Sequence, residues 1–330
     1  MDSVRPRPIP AIVGPTASGK SDLGMALARH FGGEIINCDS VQVYRRLEIG
    51  TAKVPMSWRH LVPHHLIDIV EPTENFTAGE YARRARAVIE EIEARGRLAI
   101  LVGGTGFYLR ALRQPLFESP PTDLELRQRL TRIRERWGTH HLYRMLCRVD
   151  PPTAGRLSPN DWSRITRALE YYFQTGRRLS ENQIHRPPPP DCARRIVVIA
   201  LDPPREELYR RINARAEAMF RQGLVDEVKS LLDAGIPPSA KAFGAHGYRR
   251  VIQYLQGKIS LPQAIELTKQ DTRHYAKRQL TWFRREPGVT WFKGFGDDPR
   301  IQATVIAFLS ETHDLHPADE RQNDVEKRSG

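Results

Sequence analysis

Cysteine is scarce in this chain: three residues in 330, Cys38, Cys147 and Cys192, odd in number and widely spaced. That excludes a disulfide framework and the paired spacing of a zinc ribbon, and it points to a reducing compartment. Long apolar runs are missing too, and none approaches the roughly 20 residues a membrane-spanning helix needs. The opening residues, Met1-Asp2-Ser3-Val4-Arg5-Pro6-Arg7-Pro8, lack the apolar stretch of a secretory signal. The expectation is a cytoplasmic protein with no membrane partner. No repeat or heptad pattern is present, so a monomer is the default. Acidic residues are in deficit, 39 against 51 basic ones, for a net charge of +12. One reading is a phosphate-rich macromolecular partner; the other is a surface merely decorated with arginine.

Against these absences stands one complete motif, Gly14-Pro15-Thr16-Ala17-Ser18-Gly19-Lys20-Ser21. It has the form of a phosphate-binding loop. The preceding Pro10-Ala11-Ile12-Val13 supplies a buried strand, and Asp22-Leu23-Gly24-Met25-Ala26-Leu27-Ala28 supplies the helix that must follow. Glycines let successive backbone N–H groups converge on phosphate oxygens. The helix N-terminus adds partial positive charge, Lys20 adds a full one, and the Ser21 hydroxyl can ligate Mg²⁺. The loop alone leaves open which phosphate is held and whether phosphorus reacts.

Strands are expected at 10–13, 34–38 and 98–102, with a helix at 79–95 whose apolar residues recur at helical spacing. Apolar strands separated by helices imply a parallel sheet covered on both faces. The expected fold class is therefore α/β: a P-loop NTPase-like parallel sheet core with helices on both faces and a mostly helical insertion domain. The first part of the core spans 1–115. An Arg-rich helical insertion spans 116–192 and contains a stiff proline run at 187–190. The core resumes over 193–310 with a strand at 195–201, a long amphipathic helix at 205–234 and further helices near 246–256 and 262–285. Residues 311–330 are polar with few apolar anchors and are expected to be disordered.

Asp39 follows the second strand, where open α/β sheets place ligand-facing residues. It is either a Mg²⁺ or Ser21 partner or a general base. The strand at 98–102 ends in Gly103-Gly104-Thr105-Gly106 rather than in the acidic residue common in nucleotide hydrolases. That shape suits close approach of a bulky substrate, or simply a turn that needs glycine. The adjacent His64 and His65 have no third ligand and read as a structural loop. Lys277, Arg278, Gln279 and Arg284 belong to a segment that interleaves cations with Trp282 and Phe283. It suits RNA phosphate contacts and base stacking, or a helix with a buried aromatic face.

Read together, Gly14–Ser21, Asp39-Ser40-Val41-Gln42-Val43-Tyr44, Gly50-Thr51-Ala52-Lys53, Pro63-His64-His65-Leu66-Ile67-Asp68 and Gly103-Gly104-Thr105-Gly106 occur in order. Pro159-Asn160-Asp161, Arg164-Ile165-Thr166-Arg167-Ala168-Leu169-Glu170 and Lys277-Arg278-Gln279-Leu280-Thr281-Trp282 follow them. Over roughly residues 9–290 the chain resembles the bacterial tRNA dimethylallyltransferases, or tRNA isopentenyltransferases. The resemblance implies transfer of a five-carbon allyl group from dimethylallyl diphosphate to N6 of the adenosine 3′ to the anticodon, position 37, with release of diphosphate. It casts Asp39 as the base, Lys20, Mg²⁺ near Ser21 and Arg215 as diphosphate partners, and Thr105 as a contact to the target nucleotide. It further implies anticodon stem-loop contacts from Asp39, Ser40, Val41 and Gln42, from Arg127, and from Ser163, Arg164 and Arg167. The family usually has a basic residue three places before Gly247-Tyr248, where this chain has Gly244; Arg249 is the neighbouring cation that can still meet RNA. The competing readings are a small-molecule kinase, prenyl transfer to free AMP, and a non-catalytic RNA-binding module. The first leaves the basic insertion and C-terminal helices without a task. The last leaves Lys20, Ser21 and Asp39 without one.

Overall fold

Five apolar residues make β1, Ile9–Val13, a strand buried along its whole length. Side chains alternate across a strand, so Ile9, Ala11 and Val13 enter one core and Ile12 the other. β4, Leu98–Val102, divides in the same way, with Ala99 and Leu101 opposite Leu98, Ile100 and Val102. β2 (Gly33–Asn37), β5 (Ile196–Leu201), β6 (Val289–Phe292) and a two-residue β3 (His64–His65) complete one sheet. Its order is β3-β2-β4-β1-β5-β6 and every pairing is parallel. The computed structural model describes residues 7–116, 120–182 and 188–318.

Helices cover both faces, as an all-parallel sheet requires. Lys20–Phe31 packs Leu23, Leu27 and Phe31 on one face, joined there by Val305 and Leu309 of Pro299–His313. On the other face lie Tyr81, Ala85, Ile89 and Ile92 of Ala78–Ala94. The Thr77 hydroxyl accepts the Glu80 N–H and fixes where that helix starts. A full capping box, Ser260 with Gln263, starts the 23-residue helix Leu261–Phe283.

The chain divides into two compact units, 1–113 with 190–330, and 114–189. In the second unit the described residues form helices only. Leu124–Trp137, Thr139–Val149 and Trp162–Thr175 pack Leu130, Leu142, Leu146, Ile165 and Leu169 into a core of their own.

Two expectations need correction. The single helix at 205–234 is two, Arg205–Arg221 and Leu224–Asp233, because Gly223 takes a left-handed conformation (φ 99°) that ends the first and begins the second. The polar tail does not begin at 311: Pro299–His313 is helical, anchored by Val305 and Leu309, and 319–330 lie outside the described residues. β6 was not expected, since Val289-Thr290-Trp291-Phe292 is too short to show a period; its pairing with β5 defines it.

Candidate active site

The parallel sheet points the C-terminal ends of β1, β2 and β4 at one crevice, the position where open α/β sheets bind ligands. β1 delivers the loop 14–21, β2 delivers Asp39, and β4 delivers 103–106. Two neighbouring cavities open there, of about 140 and 290 Å³, both lined by Thr16, Ala17, Asp39, Thr51, Arg215 and Tyr275. Ser18, Gly19, Lys20 and Ser21 line the first; Ser40, Val41, Gly244, His246 and Arg278 line the second.

No side chain caps the helix that starts at Lys20; its N-cap is Gly19, so the first-turn N–H groups face the cavity uncapped. Gly14 and Pro15 are buried at the strand end. The Lys20 ammonium donates to the Pro15 carbonyl at 2.6 Å, and the Arg215 guanidinium donates to the Thr16 hydroxyl at 3.1 Å. Burial, reinforced by the charge of Arg215, pushes Lys20 down to about 7, while Asp39 opposes the shift. Burial also lowers Arg215, again against the pull of Asp39. Lys20 and Arg215 crowd each other here, and an anionic ligand relieves that repulsion.

Asp39 Oδ1 accepts the backbone N–H groups of Val41 at 2.9 Å and Gln42 at 3.4 Å. Among the described residues its Oδ2 accepts no hydrogen bond, which leaves one oxygen of a fixed carboxylate available at the junction of the two cavities. Beside it the Ser40 N–H donates to the Thr105 hydroxyl at 3.0 Å, and that hydroxyl lies 3.3 Å from Ser40 Oγ. Tyr275 interacts with Thr105, and burial raises its phenol above the ordinary range.

The structure brings Lys20, Ser21, Asp39, Thr105 and Arg215 to this one place, and the other expected contacts divide between the cavities and the surface. Gln42 turns inward, its amide N–H groups donating to the carbonyls of Thr51 and Ala52. Gln279, expected to meet RNA, is 5 % exposed; its carbonyl accepts the Thr16 N–H and its amide donates to the Gly104 carbonyl. In the second unit, Arg127 and Arg167 both pair with Glu170, which is wholly buried. That gives the two arginines a structural task in place of a solvated one. Ser163 is exposed; Arg164 is also exposed, near Asp161 at 3.4 Å. Arg249 and Lys277 are exposed, Arg278 lies 5.8 Å from the Tyr275 ring, and Arg284 is 3.7 Å from Asp202. Phe283 is core, and Trp282 packs under Arg110 and Phe107.

Three site arrangements show only in the folded chain. Tyr275 and Gln279 stand one turn apart on Leu261–Phe283 and share the inner face of that helix. Glu227 accepts the N–H groups of Glu48, Ile49 and Gly50 and the Tyr248 hydroxyl, and so fixes the loop that carries Thr51. Lys53 is buried against Glu48, Asp68 and the Tyr44 carbonyl. The i, i+4 spacing of Tyr275 and Gln279 was the one available signal, and the surrounding arginines masked it. His65 bonds Glu34, and His64 bonds the Val62 carbonyl. Among the described residues no group of three His, Cys, Asp or Glu could hold a metal, and all three cysteines are free.

Comparison with known proteins matches the model of one family, described as IPP transferase, over residues 42–286. A tRNA dimethylallyltransferase of Solibacter usitatus is 50 % identical over 301 residues, covering 91 % of this chain and 97 % of the relative. One from Geobacter sulfurreducens is 50 % identical, covering 90 % and 96 %. Among solved structures, the tRNA isopentenylpyrophosphate transferase of Bacillus halodurans is 38 % identical with a TM-score of 0.67, over 94 % of this chain and 99 % of that one. A eukaryotic dimethylallyltransferase acting on tRNA is 28 % identical with a TM-score of 0.74, over 98 % and 80 %.

Proposed function

Since this chain belongs to the IPP transferase family, we propose that it alkylates tRNA, taking the allyl group of dimethylallyl diphosphate onto N6 of the adenosine 3′ to the anticodon. The observation that carries this reading is the pairing of two crowded cations, Lys20 and Arg215, with a fixed carboxylate, Asp39, across two adjoining cavities.

The balance of charge follows from that arrangement. The carbon–oxygen bond of the allyl diphosphate breaks and its electron pair leaves with diphosphate. Lys20, Arg215 and the uncapped first-turn amides meet the charge that develops. The adenine amine forms the new nitrogen–carbon bond and gives up one proton to the open oxygen of Asp39. An exocyclic amine is a poor nucleophile, so a placed base contributes directly to the rate. Thr105, fixed through Ser40, offers a hydroxyl beside that carboxylate for the incoming base. The adenine must leave its stack to enter the cavity.

The donor set at the loop fits Mg²⁺. Ser21 would offer one hard oxygen; among the described residues no group of three His, Cys, Asp or Glu forms a cage, so the substrate's diphosphate oxygens would supply other ligands. Bound there, the ion would neutralise charge on the departing diphosphate. The exposed cations Arg249, Lys277 and Arg278, and Arg164 of the helical unit, are the proposed phosphate contacts.

Labelled dimethylallyl diphosphate and labelled ATP, each offered with tRNA and with AMP, test the reading. The account expects label only in tRNA, only from the allyl donor, and only with a divalent cation present. Phosphorylation from ATP without allyl transfer contradicts it, as does preferential labelling of AMP.

A further inference from the structure

Gln279, on the helix Leu261–Phe283, hydrogen-bonds both the loop 14–21 and the turn 103–106 through one side chain. Its carbonyl accepts the Thr16 N–H at 2.8 Å and its amide donates to the Gly104 carbonyl at 3.0 Å. The two partners lie 263 and 175 residues away in sequence. The fit is tight on the turn side: a Cβ on Gly104 would stand 2.1 Å from the Gln279 amide nitrogen, so the amide would have to swing away from the Gly104 carbonyl to admit it. The same Thr16 receives the Arg215 guanidinium on its hydroxyl, and the next residue of the turn, Thr105, is the one bonded to Ser40 beside Asp39.

We propose that Gln279 is a positioning residue for the transfer: it bolts the diphosphate loop to the turn that carries Thr105, so that leaving group and nucleophile are held at one separation. The proposal rests on the allyl-transfer reading of this site. A buried primary amide suits the task because it has one acceptor end and one donor end, and the two backbone groups here require one of each. A carboxylate supplies no donor for the carbonyl of Gly104, and a lysine supplies no acceptor for the N–H of Thr16. Gly104 is small because Gln279 occupies the space where a side chain would go. In-line displacement is sensitive to misplacement on the ångström scale, so a bolt between the two halves acts on the chemical step, not on docking.

The test is a double-mutant cycle on turnover, using the full chain, dimethylallyl diphosphate and tRNA. Gln279→Ala lowers kcat about 30-fold, the scale set by two lost buried hydrogen bonds, and leaves KM for tRNA within about twofold. Gly104→Ala produces a similar loss by forcing the amide away. The double variant, in which the new methyl meets no amide, stays within about threefold of Gln279→Ala alone instead of losing the product of the two effects. Multiplicative losses overturn the proposal, since Gly104 would then be small for the substrate's sake. A raised KM for tRNA with kcat unchanged overturns it too, and restores Gln279 as an RNA contact. Should Gln279→Ala fail to fold, Gln279→Glu keeps the shape and the acceptor and removes the donor; unchanged kcat in that variant contradicts the bolt. Failure of the wild-type protein to transfer an allyl group would strike the functional reading instead.

Discussion

Lys20 sits at the ligand cavity beside a second cation, Arg215. Its ammonium is pushed from 10.5 to about 7 by burial first and Arg215 second. Between those values the unfolded chain holds a proton that the folded chain has released, so stability rises with pH across that window. At pH 7 and below, the ligand-free protein bears the cost of the crowded cations in full. Lys20→Met is therefore expected to raise the melting temperature of the free protein at pH 7 while lowering turnover by about 100-fold or more. An unchanged or lower melting temperature contradicts the assignment. Arg215 adds to the same arrangement; its guanidinium is both lowered by burial and committed to Thr16.

At the scale of elements, the cavity is held by parts that do not touch the reacting atoms. Leu224–Asp233 reaches the loop at 48–50 through one carboxylate, Glu227, which serves three backbone N–H groups and the Tyr248 hydroxyl. That loop in turn offers the Thr51 and Ala52 carbonyls to Gln42. Removing the acceptor leaves four donors, three of them part-buried, without it at once. Glu227→Ala should cost about 2 kcal/mol in denaturant unfolding, and Tyr248→Phe clearly less, since it removes a donor and leaves the acceptor satisfied by amides. Equal costs would show that the hydroxyl, not the loop, is the main partner. The helix Leu261–Phe283 works on two faces: Tyr275 and Gln279 line the site, while Lys277 and, just past the helix end, Arg284 remain outside.

For the whole molecule, the excess of 51 basic over 39 acidic residues becomes meaningful once the paired ones are set aside. Arg127 and Arg167 hold Glu170, and Arg195 holds Glu93, whereas Arg249 and Lys277 stay exposed. Binding through the exposed set should weaken with salt, on the order of tenfold to a hundredfold in tRNA affinity between 50 and 200 mM. A flat response removes the basic surface as the docking site. The same sorting explains what the sequence could and could not reveal. The loop 14–21 is one strand, one turn and one helix in succession, so local chemistry displays it completely. Asp39 and Gly103–Gly106 were legible because they directly follow recognisable strands. Gln279 was not, because its partners are Thr16 and Gly104 and only the folded chain brings them near. Gly223 was passed over inside an amphipathic pattern that continues on both sides of it. β6 and Pro299–His313 owe their places to pairing with β5 and packing on the Lys20–Phe31 face, which no local period encodes.

In the proposed transfer Asp39 removes the proton from the amine while cations hold the diphosphate. Single-turnover transfer by Asp39→Asn, with tRNA prebound at saturation, tests it most directly. The account predicts a rate lower by about 100-fold to 10,000-fold, with the dissociation constant for tRNA within about twofold of the wild type. Weakened tRNA binding with an unchanged rate on the bound RNA would contradict it.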